Sequence, residues 1–355
     1  MKHLILAINP GSTSTKIAIY ENQNEVFKKN IRHQTKDVQS FKTVFEQFHF
    51  RKKTILDALE ETDYSIKDFH AIVGRGGMLR PIESGTYQVS AEMIQDMKDA
   101  KRGEHASNLG CVLAKELADE NNIPAFIVDP VAVDEMDDHA RFTGMPEIKR
   151  ASLFHALNQK AVALKAAASL GKSYKESNLI VAHLGGGISV GVHRLGRVID
   201  VNNALDGDGP MSPERSGSVP IGPLYKMVFS GQYTLEEIKR KNYGQGGLVA
   251  YLGTNDGFEI EKRINSGDEK AKFIVEVMCY QIAKEIGSAA AVLKGDIDAI
   301  VLTGGLAYDS FIIEYIKDHV SFLSKILIFP GEDEMEALAL GALRVLTNQE
   351  EPKEY

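Results

Sequence analysis

Three short segments combine small residues with hydroxyls directly after apolar runs: INPGSTSTK (residues 8–16), HLGGGIS (residues 183–189) and VLTGGLA (residues 301–307). Small side chains let backbone amides approach phosphate oxygens, and Ser or Thr hydroxyls add donors without bulk, so turns of this kind suit polyphosphate binding. Each taken singly also reads as nothing more than a tight turn. Two arginines lie in glycine-rich surroundings that offer them few neighbours, Arg75 in VGRGG and Arg215 in SPERSGSVP. A guanidinium fork matches planar carboxylate or phosphate groups, and a solvated surface arginine is the plainer alternative for each. His155, in SLFHAL, is either a core histidine or a donor to a phosphoryl group in transit. Asp129 closes an apolar run and precedes Pro130, where carboxylates of α/β sheets reach the ligand-binding edge.

These residues need strands and turns to hold them, and the sequence supplies the elements twice. Leu4, Ile5, Ala7, Gly11 and Ser14 match Leu179, Ile180, Ala182, Gly186 and Ser189 at one constant offset. Each copy reads as a buried strand, a small-residue tip and a second strand, and two such hairpins suggest a clamp on one nucleotide. Further strands are expected over residues 25–32, 70–73, 125–128, 297–302 and 326–329. Helices are expected over residues 38–60, 65–69, from 90, 103–121, 151–170 with Gly171 as its stop, 235–241 capped by Thr234, 268–293 and 333–346. The alternation is that of an α/β protein. The helix over 268–293 is apolar nearly all round, which predicts burial between layers. Residues 202–222 form a loop dense in Gly, Pro and Ser, too long for a casual connection.

At 355 residues the chain exceeds what one core usually supports, so two domains are expected. A net charge of −8 argues against nucleic-acid and anionic-membrane partners, both of which call for a basic face. The N-terminal apolar run is too short for a signal-peptide core, and no run approaches the roughly 18 apolar residues of a membrane span. Cys111 and Cys279 lack metal or redox spacing, which points to inert thiols in a reducing cytoplasm. Gly171-Lys172-Ser173 fails as a phosphate loop because it ends a helix instead of opening one.

In this order and spacing the three turns resemble the phosphate-1, phosphate-2 and adenosine motifs of the actin-like ATPase superfamily, and the chain as a whole resembles the acetate kinase family. The resemblance implies two ribonuclease-H-like domains flanking a nucleotide cleft, residues 1–132 with 335–355 and residues 133–334. It implies reversible transfer of the ATP γ-phosphoryl group to a short-chain carboxylate, butanoate ahead of branched-chain acids or propionate. A chaperone-like ATPase module on the same fold is the reading from another class. By the same resemblance Arg75, Asp129, His155 and Arg215 are catalytic. Asn9, Gly11, Ser12, Thr13, Ser14, Lys16, His183, Gly185, Gly186, Gly187, Thr303, Gly304, Gly305 and Leu306 bind ATP or ADP, and Asp129 and Glu334 hold Mg²⁺. A cytoplasmic homodimer or higher homo-oligomer is expected. Two departures stand out: Gly186 replaces an Asn of the acetate enzymes, and Gly76 and Gly77 replace bulkier residues, which implies a roomier acyl pocket.

Overall fold

A computed structural model describes residues 2–355. The chain divides into two compact units, Met1–Asp134 with Asp333–Tyr355, and Glu135–Glu332. In the first unit a six-stranded sheet runs in the order β3-β2-β1-β4-β6-β5. Its strands are β1 (Leu4–Pro10), β2 (Ser14–Glu21), β3 (Asn24–Arg32), β4 (Ala71–Arg75), β5 (Thr86–Gln88) and β6 (Ala125–Val128). Every residue of β1 is buried, as a central strand between an antiparallel and a parallel neighbour requires. The helix Asn108–Asp119 lies directly on β4 because neither partner has a side chain at the crossing. A Cβ on Gly74 would come within 3.0 Å of Cys111 N, and one on Gly110 within 2.9 Å of Arg75 N. That contact fixes the strand end from which Arg75 projects.

The second unit holds a five-stranded sheet in the order β11-β10-β7-β8-β9. It is built from β7 (Asn178–Leu184), β8 (Ile188–Arg194), β9 (Arg197–Val201), β10 (Ala299–Gly304) and β11 (Ile326–Pro330). Alternation along β7 serves two faces. Leu179 and Val181 pack with Val162, Ala163 and Ala166 of the helix Ala156–Ser169, whereas Ile180 and Ala182 pack with Ile274, Met278, Ile282 and Ile286 of the helix Glu269–Val292. Both faces being apolar, β7 reads as a continuous hydrophobic run.

The structure corrects several expectations. Residues 38–60 carry a single extended helix, Phe48–Leu59, after short turns, and the helix expected from 103 begins at Asn108. The helix expected from 151 begins at Ala156, because Leu153 O accepts the Ala204 amide and ties the preceding segment to the long loop. The helix Glu269–Val292 is not buried all round: Phe273 and Tyr280 are 62% and 50% exposed, so its aromatic residues supply a solvent face that apolarity alone does not reveal. Thr234 caps its helix as expected, with Glu237 completing a capping box. The residue-by-residue repeat does not survive pairing. Ile8 faces Ile17 but His183 faces Ser189, and the innermost tip bonds join Gly11 to Ser14 and Gly185 to Gly187, so the second tip is one residue shorter. The hairpins recur; the single offset does not.

Candidate functional site

In the first unit three of the expected residues converge. Glu334, in the first turn of the helix Glu334–Leu346, accepts Asn9 Nδ2 at 2.7 Å, and its two oxygens lie 2.8 and 3.0 Å from Arg75 Nη1. Asn9 Oδ1 is 3.5 Å from the same Nη1. The ends of β1 and β4 are neighbours in the sheet, and the C-terminal helix brings the carboxylate to both. Asp129 sits just past β6 with φ 36°, a left-handed conformation uncommon for a residue other than glycine and often found at functional positions. It is buried, its Oδ1 accepts the Gly85 amide at 2.7 Å, and its own amide donates to Gly85 O. Asp129 and Glu334 offer only hard carboxylate oxygens, which is the donor type Mg²⁺ takes, and such an ion needs one or two carboxylates because phosphates and water complete its shell. The residues therefore fit the ion. Ser12 and Thr13 at the tip are exposed, and Ser14 and Lys16 are half-buried.

In the second unit the tip is framed by the long loop. Gly186 O accepts the Ser212 hydroxyl at 2.6 Å and the Glu214 amide at 3.4 Å. Arg215 lies over Gly187: a Cβ there would be 2.5 Å from the guanidinium carbon, so glycine is required to seat it. The guanidinium donates to Ala204 O and rests 5.1 Å from the Tyr243 ring centroid. Burial pulls its pKa below the usual arginine range, with Tyr243 and Glu214 opposing. Around Gly186 a Cβ would meet only the Glu214 carboxyl at 3.7 Å, so the departure from Asn does not reflect lack of room.

His155 and His183 stack, with centroids 3.7 Å apart and planes 10° from parallel. Asn158, which sequence reasoning passed over, joins them to the adenosine motif: His183 Nδ1 donates to its Oδ1 at 2.7 Å, and its Nδ2 donates to Glu332 O at 2.9 Å and to Thr303 Oγ1 at 3.4 Å. Its place one turn into a buried helix is the only signal it gave. A second neutral chain runs behind His155. His155 Nδ1 is 2.9 Å from Ser189 Oγ, Gln159 Nε2 donates to Ser189 O and Oγ, His193 Nε2 donates to Gln159 Oε1 at 3.0 Å, and Tyr174 donates to His193 Nδ1 at 2.7 Å. Burial, and then the Lys160 charge, push His193 down to about 3, so it is neutral. Gly304 has φ 89° and exchanges two backbone bonds of 3.0 Å with Gly331, and the space beside Gly305 is open, as a nucleoside face requires. Leu306 is half-buried on the short turn that follows.

The glycines at 76 and 77 do not themselves open the space expected of a roomier acyl pocket. The space a side chain would take at Gly77 is filled by Asn108 and Met97, with a Cβ falling 2.6 Å from Asn108 Cα, and that at Gly76 by Pro130 and Ile127. A residue missed altogether is His105, whose pKa burial and the charges of Arg75 and Arg51 lower. It accepts the Ser107 amide at Nδ1, and its one sequence signal was a position just before a helix start.

The acetokinase family matches residues 146–327 of the chain. A protein of Clostridium acetobutylicum named butyrate kinase 2 is 53% identical over 355 residues, covering 100% of both chains. Among solved structures, an acetate kinase from Porphyromonas gingivalis superposes with a TM-score of 0.79 at 19% identity, over 98% of this chain and 100% of that one. A propionate kinase from Francisella tularensis follows at 0.76 and 21%, over 96% and 98%. These likenesses define an actin-like ATPase fold. The chain belongs to the acetokinase family. It is a phosphotransferase with ATP or ADP as co-substrate and a carboxyl group as acceptor.

Proposed function

We propose that the protein catalyses butanoate + ATP = butanoyl phosphate + ADP, in either direction, as a cytoplasmic homo-oligomer. The observation that carries the acyl choice is the full-length 53% identity to butyrate kinase 2. Two buried free thiols support a reducing compartment, and the exposed apolar side chains of Ile221, Tyr225 and Phe229 support self-association. Among the described residues no helix is long and apolar enough to cross a membrane.

A short-chain acid with a pKa of roughly 4.3 is ionised at neutral pH, so the nucleophile requires no general base. Attack by an anion on a polyanion is repulsive, and the chain's task is alignment and supply of positive charge. Arg75, aimed by Glu334 and Asn9, orients the acid. Arg215, seated on Gly187, and His155, held through Ser189, meet the charge on the transferring phosphoryl group. The tips at Gly11–Ser14 and Gly185–Gly187, with Lys16 and His183, hold the nucleotide phosphates, and Thr303–Leu306 the nucleoside. Asp129 and Glu334 are the residues that would hold Mg²⁺, which, when bound, withdraws charge from phosphate oxygens. We assign each unit a ribonuclease-H-like topology.

The test is hydroxylamine trapping of acyl phosphate across straight and branched acids of two to six carbons, with sugars as controls. Butanoate should give the highest kcat/KM. A preference for isobutyrate or propionate would move the acyl assignment, and ATP hydrolysis without trapped acyl phosphate would remove the carboxylate kinase reading.

A further inference from the structure

Arg51, on the helix Phe48–Leu59, is wholly buried, and five hydrogen bonds engage its guanidinium. Nη2 donates to Gly11 O at 2.9 Å, and Nη1 to Ser14 O at 2.9 Å and Thr15 Oγ1 at 3.0 Å. Nε and Nη2 share Gln47 Oε1 at 3.0 and 2.8 Å. Every partner is neutral, and among the described residues no carboxylate accepts from it. A buried cation without a counter-charge is costly unless something compensates it. Burial lowers its pKa to about 10, so the charge persists at neutral pH.

The placement has a geometric effect on the tip. All peptide bonds here are trans, so the Ser12 amide points opposite to the Gly11 carbonyl and thus away from Arg51. Thr13 O is likewise occupied, by the His33 amide at 2.9 Å, which turns the Ser14 amide the other way. Carbonyls that would repel a phosphate are thereby held inward, and Ser12 and Thr13 remain exposed.

We propose that Arg51 is a positioning residue for nucleotide: it shapes the first hairpin tip for a polyphosphate, whose negative charge compensates the buried guanidinium when it binds. The inference rests on the reading of this hairpin as a phosphate grip. It is tested in the full-length enzyme by steady-state kinetics and thermal unfolding of Arg51→Met, Gln47→Met and Lys16→Ala. Arg51→Met should raise KM for ATP about tenfold or more and leave KM for the carboxylate within about twofold. Gln47→Met, which frees the fork without emptying the site, should raise KM for ATP about threefold and decides the matter if Arg51→Met does not fold. In Arg51→Ala, about 10 mM guanidinium ion should bring KM for ATP back toward the wild-type value by refilling the site with the same donor fork. A lowered melting temperature with KM for ATP unchanged in the soluble variants would make Arg51 a structural brace and overturn the proposal. If Lys16→Ala also leaves KM for ATP unchanged, the phosphate grip itself is wrong; if it raises KM while the Arg51 and Gln47 variants do not, only the role of Arg51 fails.

Discussion

At the first hairpin the carbonyls of Gly11 and Ser14 are drawn back by a buried guanidinium, whereas at the second the Gly186 carbonyl is drawn back by the Ser212 hydroxyl and the Glu214 amide. The first tip has its cation behind it. The second has a neutral chain of Ser189, Gln159, His193 and Tyr174 behind it, and its cation, Arg215, lies across the glycine of the tip itself. A turn that is to meet phosphate needs its carbonyls engaged elsewhere, and either a charge or a neutral donor does this equally well. What differs is the position left for positive charge: fixed under the hairpin in one unit, and laid across the tip glycine in the other.

That comparison breaks if Arg215 is dispensable. Arg215→Ala should lower kcat by about 10² or more with KM for ATP little changed, since its charge is needed chiefly while the phosphoryl group is in flight. Arg75→Ala should in addition raise KM for the carboxylate, and it leaves the Glu334 carboxylate without its ion-pair partner. Near-wild-type kinetics in Arg215→Ala would leave it without a part in turnover, and a rise confined to KM for ATP would assign it to ground-state nucleotide binding, the role given to the first hairpin.

A second test sits under Arg75. Gly77→Val should destabilise the first unit by about 1–3 kcal/mol through overpacking against Asn108 and Met97. The butanoate-to-acetate ratio of kcat/KM should stay constant. A changed ratio with an unchanged melting temperature would restore Gly77 to the acyl pocket.

Most strands were legible because their apolar runs are nearly unbroken, whereas the short β5 and β9 were not read at all. The strand-end places of Arg75, Asp129 and the Gly304 turn were legible because the apolar runs before them are clear, and strand ends are where α/β sheets carry ligand residues. Arg51 was not. It stands beside Lys52 and Lys53, and nothing in composition or period separates a buried guanidinium from two lysines that pair with acids near the surface. Tip length and register were hidden for a related reason: they are set by which amide meets which carbonyl, and both copies satisfy the same hydrophobic pattern. At Gly77 a missing side chain suggested space, but Asn108 and Met97, remote in sequence, fill it.

The neutral chain behind the second tip makes a prediction about pH. His193 is held neutral with a folded pKa of about 3, below its ordinary 6.5. The unfolded chain therefore binds the extra proton between these values, so stability is fully present above about 6.5 and falls as pH drops toward 3. From pH 7 to pH 5 this single group removes about 2 kcal/mol. In His193→Gln, urea unfolding should show a correspondingly smaller loss over the same range. An identical loss in both proteins would mean that His193 takes up its proton in the folded state as readily as in the unfolded chain, so that below about pH 6 the second tip, like the first, is backed by a cation.

The smallest expected effect separates the two tips most directly. An alanine methyl at Gly11 would lie 3.3 Å from Ser14 Oγ and 3.6 Å from Ser14 O, close enough to shift a hydroxyl rotamer but not the backbone, and Gly11 does not have a positive φ. At Gly187 the same methyl would displace the Arg215 guanidinium, the mobile end of a long side chain, while Ala204 O at 3.2 Å leaves the backbone in place. Gly187→Ala should therefore lower kcat about tenfold, with the melting temperature little changed, and Gly11→Ala should stay within about twofold in kcat and in KM for ATP. The difference follows from where the charge sits. Arg51 lies behind its hairpin and does not feel a methyl added at the tip, whereas Arg215 occupies the place that methyl would take. If both alanine variants lose activity alike, the tips act through backbone approach alone and the seat of Arg215 on Gly187 has no catalytic meaning. If neither does, Arg215 finds its working position independently of the glycine, and the asymmetry between the hairpins is one of packing without consequence for turnover.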